Sequence, residues 1–232
     1  MNFYVGTSGY SHQEWKGTFY PKNLPTNQML RFYGERFRAV EINNTFYRLP
    51  EAAVVEAWAG EVRADFRFVL KAPRGITHLR RLKDVGASVA KLLEVAGALG
   101  KRLGPLLFQL PPNMKKDVPR LRELLALLPP RRRAALEFRH PSWFDDEVFG
   151  LLRARRAALC LAEAEDGLEV PFVATAGWGY LRLRRSDYRD AELKAWVKRV
   201  RGQAWRDAYV FFRHEDEGKG PRMAERFLEL AE

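Results

Sequence analysis

Glu137, Arg139 and His140 bring a carboxylate, a guanidinium and an imidazole together at the end of a predicted strand. The apolar Leu136 and Phe138 alternate with the charged residues, as expected for a strand whose two faces meet different surroundings. A carboxylate or an imidazole can transfer protons, and a guanidinium can hold an anionic group. Burying such charges is costly unless they pair with one another or act on a ligand. We therefore predict that this strand end is the centre of a functional site.

Polar side chains also mark the ends of the other predicted strands. The predicted catalytic residues are Glu41, Glu137 and His140. The residues predicted to bind substrate are Ser8, Asn43, Lys71, Gln109, Arg139, Trp143, Arg182, Arg184 and His214. The cations of this set would recognise phosphate or carboxylate groups, and aromatic side chains could stack on a base or a sugar. The set predicts a small anionic ligand that is partly planar.

Two interpretations suit the carboxylates of Glu41 and Glu137. Carboxylates that flank a bond are typical of glycosidases, so a hydrolase is one enzyme class that the pair indicates. Ion pairs with neighbouring cations, such as Lys71 or Arg139, explain the same residues equally well. The second and fifth strands lie well apart around a barrel, and the sequence does not give the separation of the two carboxylates. Both interpretations therefore stay open.

Metal and covalent chemistry receive little support from the sequence. His-x-x-x-His and Asp-x-Asp spacings are absent, which argues against a tightly held metal ion. Cys160 is the only cysteine, so an intrachain disulfide and a thiolate-rich metal site are excluded. The chain also lacks a serine nucleophile elbow and a P-loop. We expect no cofactor, and the sequence does not decide whether a metal is required.

Strands and helices that alternate along the chain must position these residues. Besides the strand that carries Glu137, the predicted strands are Phe3–Thr7, Ala39–Phe46, Phe66–Ala72, Leu106–Leu110, Ala157–Ala162, Tyr180–Arg184 and Ala208–Phe212. Apolar residues at helical spacing follow every strand except the sixth. Residues 163–177 show no such period and contain Pro171, so the sixth helix is predicted to be missing or reduced.

This order predicts a single TIM-barrel-like (β/α)8 domain over residues 1–232, within the α/β class. In a doubly wound open sheet, a Gly-rich first turn would feed directly into a helix, which the pattern after Gly9 does not show. Two local predictions accompany the fold. The third helix has a regular apolar pattern from Val85 to Leu103, and Asp145-Asp146 is predicted to cap the fifth helix. In such barrels the active site lies at the C-terminal ends of the strands, which is where the predicted polar residues are.

The chain is strongly basic, with 40 Lys and Arg residues against 29 Asp and Glu residues and a formal charge of +11. A basic surface attracts nucleic acid, which makes nucleic acid an alternative partner. The arginine clusters at 131–133, 153–156, 182–185 and 199–201 are dispersed along the sequence, however, and surface ion pairs would also explain them.

The location of the protein is predicted from what the sequence lacks. Apolar runs fall short of the roughly 18 residues that a membrane span requires. The N-terminal residues do not resemble a signal peptide, and a lone cysteine fits a reducing compartment. We therefore predict a cytoplasmic protein without a membrane partner. The sequence does not indicate an oligomeric state.

Several long motifs connect the chain with a known family. They are Val5-Gly-Thr-Ser-Gly-Tyr10, Trp15-Lys-Gly-Thr-Phe-Tyr-Pro21, Val40-Glu-Ile-Asn-Asn-Thr-Phe-Tyr-Arg48, Lys71-Ala-Pro73, Thr77-His78, Leu82-Lys-Asp84, Gly104-Pro-Leu-Leu-Phe-Gln-Leu-Pro-Pro112 and Glu137-Phe-Arg-His-Pro-Ser-Trp143. In these motifs and their order, the chain resembles the YecE-like proteins, which contain the domain of unknown function 72. The resemblance implies a TIM-barrel-like fold and no particular reaction.

The C-terminal third departs from the pattern of that family. Similar proteins carry Arg-Leu-His-Gly after the seventh strand, where this chain has Arg182-Leu-Arg-Arg185. They end the eighth strand in Tyr-Phe-Asn-Asn, where this chain has Phe211-Phe-Arg-His214. More basic groups thus replace two polar sites.

Three functional hypotheses follow from the sequence. The first is an enzyme that acts on a small phosphate- or carboxylate-bearing substrate by general acid–base chemistry at the C-terminal end of the barrel. The second is a protein that binds or processes nucleic acid with the same basic mouth, and the third is a ligand-binding barrel without catalysis.

Overall fold

Eight parallel strands form the central sheet of the protein, seen in a computed structural model that describes residues 1–163, 167–213 and 216–232. The strands are β1 (Asn2–Thr7), β2 (Ala39–Ile42), β3 (Arg67–Lys71), β4 (Leu103–Gln109), β5 (Ala134–Glu137), β6 (Ala158–Glu163), β7 (Trp178–Leu183) and β8 (Asp207–Phe212). They are hydrogen-bonded in the order β1-β8-β7-β6-β5-β4-β3-β2, which curls into a nearly closed barrel. The TIM-barrel-like fold is thereby confirmed.

Among the described residues, six α-helices lie between strands and a seventh follows β8. They are α1 (Met29–Arg36), α2 (Ala52–Gly60), α3 (Gly86–Gly97), α4 (Val118–Leu127), α5 (Asp146–Ala154), α6 (Asp190–Arg201) and α7 (Lys219–Leu230). Between β6 and β7, the described residues 167–177 contain no helix, which agrees with the predicted loss of the sixth helix. Among the described residues, no helix is both long and apolar enough to cross a membrane.

Alternate residues of each strand face two separate cores. On β5, Leu136 packs in the larger core between the sheet and the helices, as does Phe138 just beyond the strand, and Ala135 belongs to the smaller core inside the barrel. Glu137 shares the inward face with Ala135, because side chains alternate along a strand. Inside the barrel, Tyr180 and Phe211 fill the middle. The charged face of β5 is therefore turned inward, toward the C-terminal end of the barrel interior.

The predicted strand boundaries hold to within two residues except at the end of β2 and the start of β4, and the third helix ends earlier than predicted. β2 ends at Ile42 instead of Phe46, because a 3₁₀ turn at Asn44–Phe46 redirects the chain at the mouth of the barrel. The third helix was predicted to reach Leu103, but α3 ends at Gly97. The chain turns at Gly100, whose φ of +53° favours glycine, and Leu103 already belongs to β4.

The seam between β1 and β2 closes the barrel with few direct contacts. Ser8 and Glu41 form an isolated bridge there, and the Gly9 amide donates to the Glu41 carbonyl at 2.8 Å. Below this bridge, a Cβ on Gly6 would meet the Ala39 carbonyl oxygen at 1.9 Å, so only glycine fits. The two strands thus pass close to each other without a complete ladder.

Candidate functional site

Arg182 lies at the centre of the site, where β7 faces into the barrel near its C-terminal end. Its Nη2 donates to Glu41 Oε1 at 2.8 Å, and its Nη1 donates to Glu137 Oε2 at 2.6 Å. Nη1 also lies 3.4 Å from Gln109 Oε1. One guanidinium therefore joins the carboxylates of β2 and β5 across the barrel. The structure thus supports the ion-pair interpretation of the two carboxylates, with Arg182 as the shared partner.

Hydrogen bonds from neighbouring strands complete the surroundings of Glu41. The Ser8 hydroxyl donates to Oε1 at 2.8 Å, and the Tyr180 hydroxyl donates to Oε2 at 2.6 Å. Asn43 Nδ2 donates to Oε1 at 3.1 Å. Ser8 and Asn43 follow directly after β1 and β2, and Tyr180 precedes Arg182 on the inward face of β7. Every oxygen of the Glu41 carboxylate is therefore engaged.

The ionisation of the two carboxylates follows from these contacts. Burial opposes their negative charges, but the Arg182 guanidinium and the hydrogen bonds outweigh burial and lower the pKa of Glu41. At Glu137, burial is likewise outweighed by Arg182, with Arg139 donating to Oε1 at 2.5 Å, and the pKa falls to about 2. Both carboxylates are fully buried. This arrangement suits holding Arg182 in place better than exchanging protons with a ligand.

A cavity of about 510 Å³ opens above this network at the C-terminal ends of the strands. Its polar lining comes from Ser8, Ser11, His12, Asn43, Asn44, Lys71, Arg182, Arg184 and Arg213. Tyr10, Tyr47 and Trp58 add aromatic surface. The lining contains four cations, and the carboxylates beneath it are already paired. The described lining of the cavity is therefore positively charged and rich in hydrogen-bond donors.

Lys71 and Arg184 are the cations that the protein leaves least compensated. Burial, with Arg182 nearby, lowers the pKa of Lys71 from 10.5 to about 8. The Lys71 ammonium lies 4.3 Å from the centre of the Phe46 ring. Burial and Arg182 also lower the pKa of Arg184. Neither side chain has a carboxylate within ion-pairing distance in the described part of the chain.

The connection after β3 brings an unusual backbone to the same mouth. A π-helix spans Gly75–Leu79, and three non-glycine residues within 81–84 have φ values between 47° and 66°. Such conformations cost energy and are concentrated at functional sites. His78 sits in the π-helix, where its Nδ1 lies 2.9 Å from the Thr77 hydroxyl. Burial and the charge of Lys71 lower the pKa of His78.

The structure brings most of the predicted site residues together, but not all of them. Joined in the network or along the cavity are Ser8, Glu41, Asn43, Lys71, Gln109, Glu137, Arg139, Arg182 and Arg184. His140 does not line the cavity, and its Nδ1 instead accepts the Ser142 amide at 3.1 Å. His214 lies outside the described residues.

Trp143 is placed in the core and not in the cavity. The side chain is fully buried, and its ring stacks on Phe138 at 4.7 Å. Its indole N–H donates to the Met114 carbonyl at 2.8 Å. Through these contacts Trp143 supports the loop after β5 from the core.

Some site residues were absent from the sequence-based set. Tyr180 contacts Glu41 in the network, His78 packs against the Phe46 ring, and Trp58 lines the cavity. The signal for Tyr180 was its spacing of two from Arg182, which puts both residues on one face of β7. His78 and Trp58 had no comparable signal, because their positions depend on the path of loops and on a neighbouring helix.

Metal-binding clusters are absent from the described residues, where no three His, Cys, Asp or Glu side chains gather in a suitable way. Cys160 is buried inside the barrel, and burial raises the pKa of its thiol. A thiol in this state is a weak nucleophile.

Comparison with known proteins shows what the chain as a whole is similar to. The family model described as "Protein of unknown function DUF72" matches residues 4–232. The UPF0759 protein YecE of Escherichia coli K12 is 32% identical over 142 residues, which are 61% of this chain and 50% of that protein. The UPF0759 protein YunF of Bacillus subtilis 168 is 25% identical over 232 aligned residues, covering 92% of this chain and 79% of that protein. The matched region is thus about half the length of YecE.

Solved structures of similar proteins share the fold. The crystal structure of a DUF72 family protein from Thermotoga maritima MSB8 superposes with a TM-score of 0.87 at 28% identity, over 99% of each chain. A DUF72 family protein from Enterococcus faecalis V583 superposes with a TM-score of 0.82 at 18% identity, over 99% of this chain and 95% of that one. The barrel is therefore common to these proteins.

Proposed function

This chain belongs to the DUF72 family of proteins of unknown function, so we propose a function from the site itself. The proposed function is that of an enzyme that acts on a small anionic substrate in the cavity at the C-terminal end of the barrel. The observation that carries the proposal is the charge of this cavity. Lys71 and Arg184 line it without an ion-pair partner among the described residues, and both nearby carboxylates already hold Arg182. A bound phosphate or carboxylate would supply the missing negative charge.

Lys71 is the residue best suited to transfer protons in this cavity. Its pKa of about 8 means that protonated and neutral amine are both present near neutral pH, which is what general acid–base catalysis requires. Glu41 and Glu137 are fully buried and firmly ionised, so their role is to position Arg182. In this proposal Arg184, supported by the nearby charge of Arg182, holds the anionic group of the substrate beside the Lys71 amine.

Ligand binding can be tested by the thermal unfolding of the wild-type protein with inorganic phosphate, glycerol 3-phosphate and citrate as the first probes. A ligand that binds only the folded state raises Tm, because at a concentration of one hundred times Kd it stabilises the fold by about 2.7 kcal/mol. We expect at least one probe to raise Tm, and Lys71→Met and Arg184→Gln each to reduce that shift. Affinity should also fall as pH rises through about 8, because Lys71 then loses its charge. In Lys71→Met this pH dependence should disappear.

Lys101→Met is the matched control, since Lys101 is exposed and precedes β4 at the other end of the barrel. It should bind the probes as the wild type does. If no anion raises Tm, or if the two cavity variants keep the full shift, the proposed ligand class is wrong. Substrate conversion, followed by NMR on any ligand that binds, separates an enzyme from a barrel that only binds. Binding without turnover would reject the enzymatic part of the proposal and leave the anion site standing.

A further inference from the structure

A second basic region lies at the opposite end of the barrel from the cavity. It is an open groove of about 910 Å³, and we call it the arginine groove after the residues that line it: Arg131, Arg132, Arg133, Arg155, Arg156 and Arg206. Trp178 and Trp205 lie at its floor. Nothing in the proposed function uses this end of the barrel.

The fold brings these arginines together from separate parts of the sequence. Residues 131–133 directly precede β5, residues 155–156 lie just before β6, and Arg206 directly precedes β8. These strands are neighbours in the sheet, with β7 between β6 and β8. The N-terminal ends of parallel strands meet at one edge, so clusters that are dispersed along the chain become one surface.

Among the described residues, carboxylates compensate one of the six arginines at this surface. Arg133 forms an ion pair with Asp207 at 2.7 Å and donates to the Tyr209 hydroxyl at 3.2 Å. The other five have no carboxylate partner in the part of the chain that the structure describes. The Nε of Arg132 is buried and has no acceptor within the described residues. Like charges gathered along one groove repel one another, and a bound anion relieves this repulsion.

The chemistry of the groove favours a phosphate backbone over single bases. Guanidinium groups bind phosphate oxygens in a bidentate manner. The two tryptophans cannot stack on bases, since Trp178 is 5% exposed and Trp205 is 7% exposed. Trp205 instead packs so tightly on β7 that a Cβ on Gly179 would meet its ring at 2.1 Å. The groove therefore offers a row of phosphate-binding donors without a stacking platform.

We propose that the arginine groove binds the phosphate backbone of double-stranded nucleic acid without reading its sequence. This site differs from the mouth of the barrel, which was the predicted location for nucleic acid on sequence grounds. With five uncompensated arginines, the expected slope of log K against log salt concentration is about −4.5.

The test compares fluorescence anisotropy of a labelled 20-base-pair DNA duplex for the wild type and for Arg131→Gln/Arg155→Gln/Arg206→Gln, at several salt concentrations. These three side chains are exposed, so the variant should fold, which circular dichroism can verify. We expect the salt slope to become shallower by about 2.7, since three phosphate contacts are lost. Affinity at low salt should fall at least tenfold.

The control variant Lys22→Gln/Arg31→Gln/Arg122→Gln removes the same charge from exposed positions elsewhere. It should keep the wild-type slope, and so should Lys71→Met in the cavity, which separates this site from the proposed anion site. If the control variant loses as much affinity and as much of the salt slope, the effect comes from net charge alone and the proposal is overturned. Equally tight binding of one labelled strand of that duplex, measured in the same way, would overturn it too. Displacement of the duplex by polyglutamate at matched charge concentration would indicate an acidic protein partner instead.

Discussion

Arg182 determines the electrostatics of the upper barrel interior. Its side chain is 2% exposed, and it pairs with two carboxylates that have no exposed surface. The cost of removing these three charges from water is offset by their contacts with each other and by polar neighbours such as Ser8 and Tyr180. The group therefore behaves as one unit whose members cannot be replaced singly without loss.

Arg182→Met should destabilise the fold by about 3–5 kcal/mol, because it leaves Glu41 and Glu137 buried without their shared cation. Urea unfolding followed by circular dichroism measures this change. The variant Arg182→Met/Glu41→Gln/Glu137→Gln removes the buried charges as well and should regain much of the loss. If this triple variant is no more stable than Arg182→Met, unpaired charge is not the cause.

The same contacts predict how stability depends on pH. The pKa of Glu137 is lowered from 4.5 to about 2 in the folded protein. Between these values the unfolded chain binds more protons than the folded one, so stability falls as pH decreases from about 4.5 to about 2. In Arg182→Met the lowering by Arg182 is gone and burial favours the protonated form. Its loss of stability over this pH window should therefore be much smaller than in the wild type.

At the level of elements, apolar periodicity predicted which segments are strands and helices, but not how their ends are built. β2 was predicted to continue through Phe46, since its pattern of alternation does not reveal the turn that begins at Asn44. The π-helix at Gly75–Leu79 has no sequence signature of comparable strength. Site residues carried by regular strands, such as Glu41 and Glu137, were consequently easier to predict than His78.

The start of α5 is an element boundary that local chemistry does predict. Asp145 was expected to cap this helix, and its Oδ1 accepts the Val148 amide at 2.9 Å. The other carboxylate oxygen, Oδ2, pairs with Lys116, which ties the loop before α4 to α5. The cap is confirmed, and it anchors the connection that leads away from the charged end of β5.

Asp145→Ala should lower the free energy of unfolding by about 1 kcal/mol, because the Val148 amide loses its acceptor at the first turn. Asp145→Asn keeps an oxygen for this amide and loses mainly the partly exposed ion pair with Lys116, so it should cost only a few tenths of a kcal/mol. Thermal or urea unfolding of both variants distinguishes the two contributions. Equal losses would mean that the ion pair, not the cap, stabilises this helix.

At the scale of the whole molecule, the order of the strands was predictable, but contacts across the barrel were not. Arg182 and Glu41 are 141 residues apart in the chain, and no local pattern indicates that they meet. The prediction that Lys71 or Arg139 would neutralise the carboxylates was correct for Arg139 and Glu137. It missed Arg182, because the inward side chains of β2, β5 and β7 reach one another only after the sheet has closed.

Closure of the barrel depends on a side chain from outside the sheet. The Tyr33 hydroxyl, from α1, accepts the Thr7 amide at 2.7 Å and donates to the Ala39 carbonyl at 3.1 Å. It thereby links β1 and β2 below the Ser8 bridge, where the strands lack direct hydrogen bonds in the described structure. The tyrosine is fully buried, so no solvent can replace it. The seam leads directly to Ser8 and Glu41 at the site.

Tyr33→Phe should therefore loosen this seam while leaving the packing of the ring intact. Two buried backbone groups, the Thr7 amide and the Ala39 carbonyl, lose their partner, which costs about 1–3 kcal/mol. Hydrogen exchange followed by mass spectrometry should show faster exchange in peptides of β1 and an unchanged rate in β5, which lies across the barrel. Tyr209→Phe is a useful control, since its hydroxyl contacts the Arg133 side chain instead of a strand backbone. If β1 exchanges no faster in Tyr33→Phe, the remaining contacts at Ser8 and Gly9 are sufficient to hold the barrel closed.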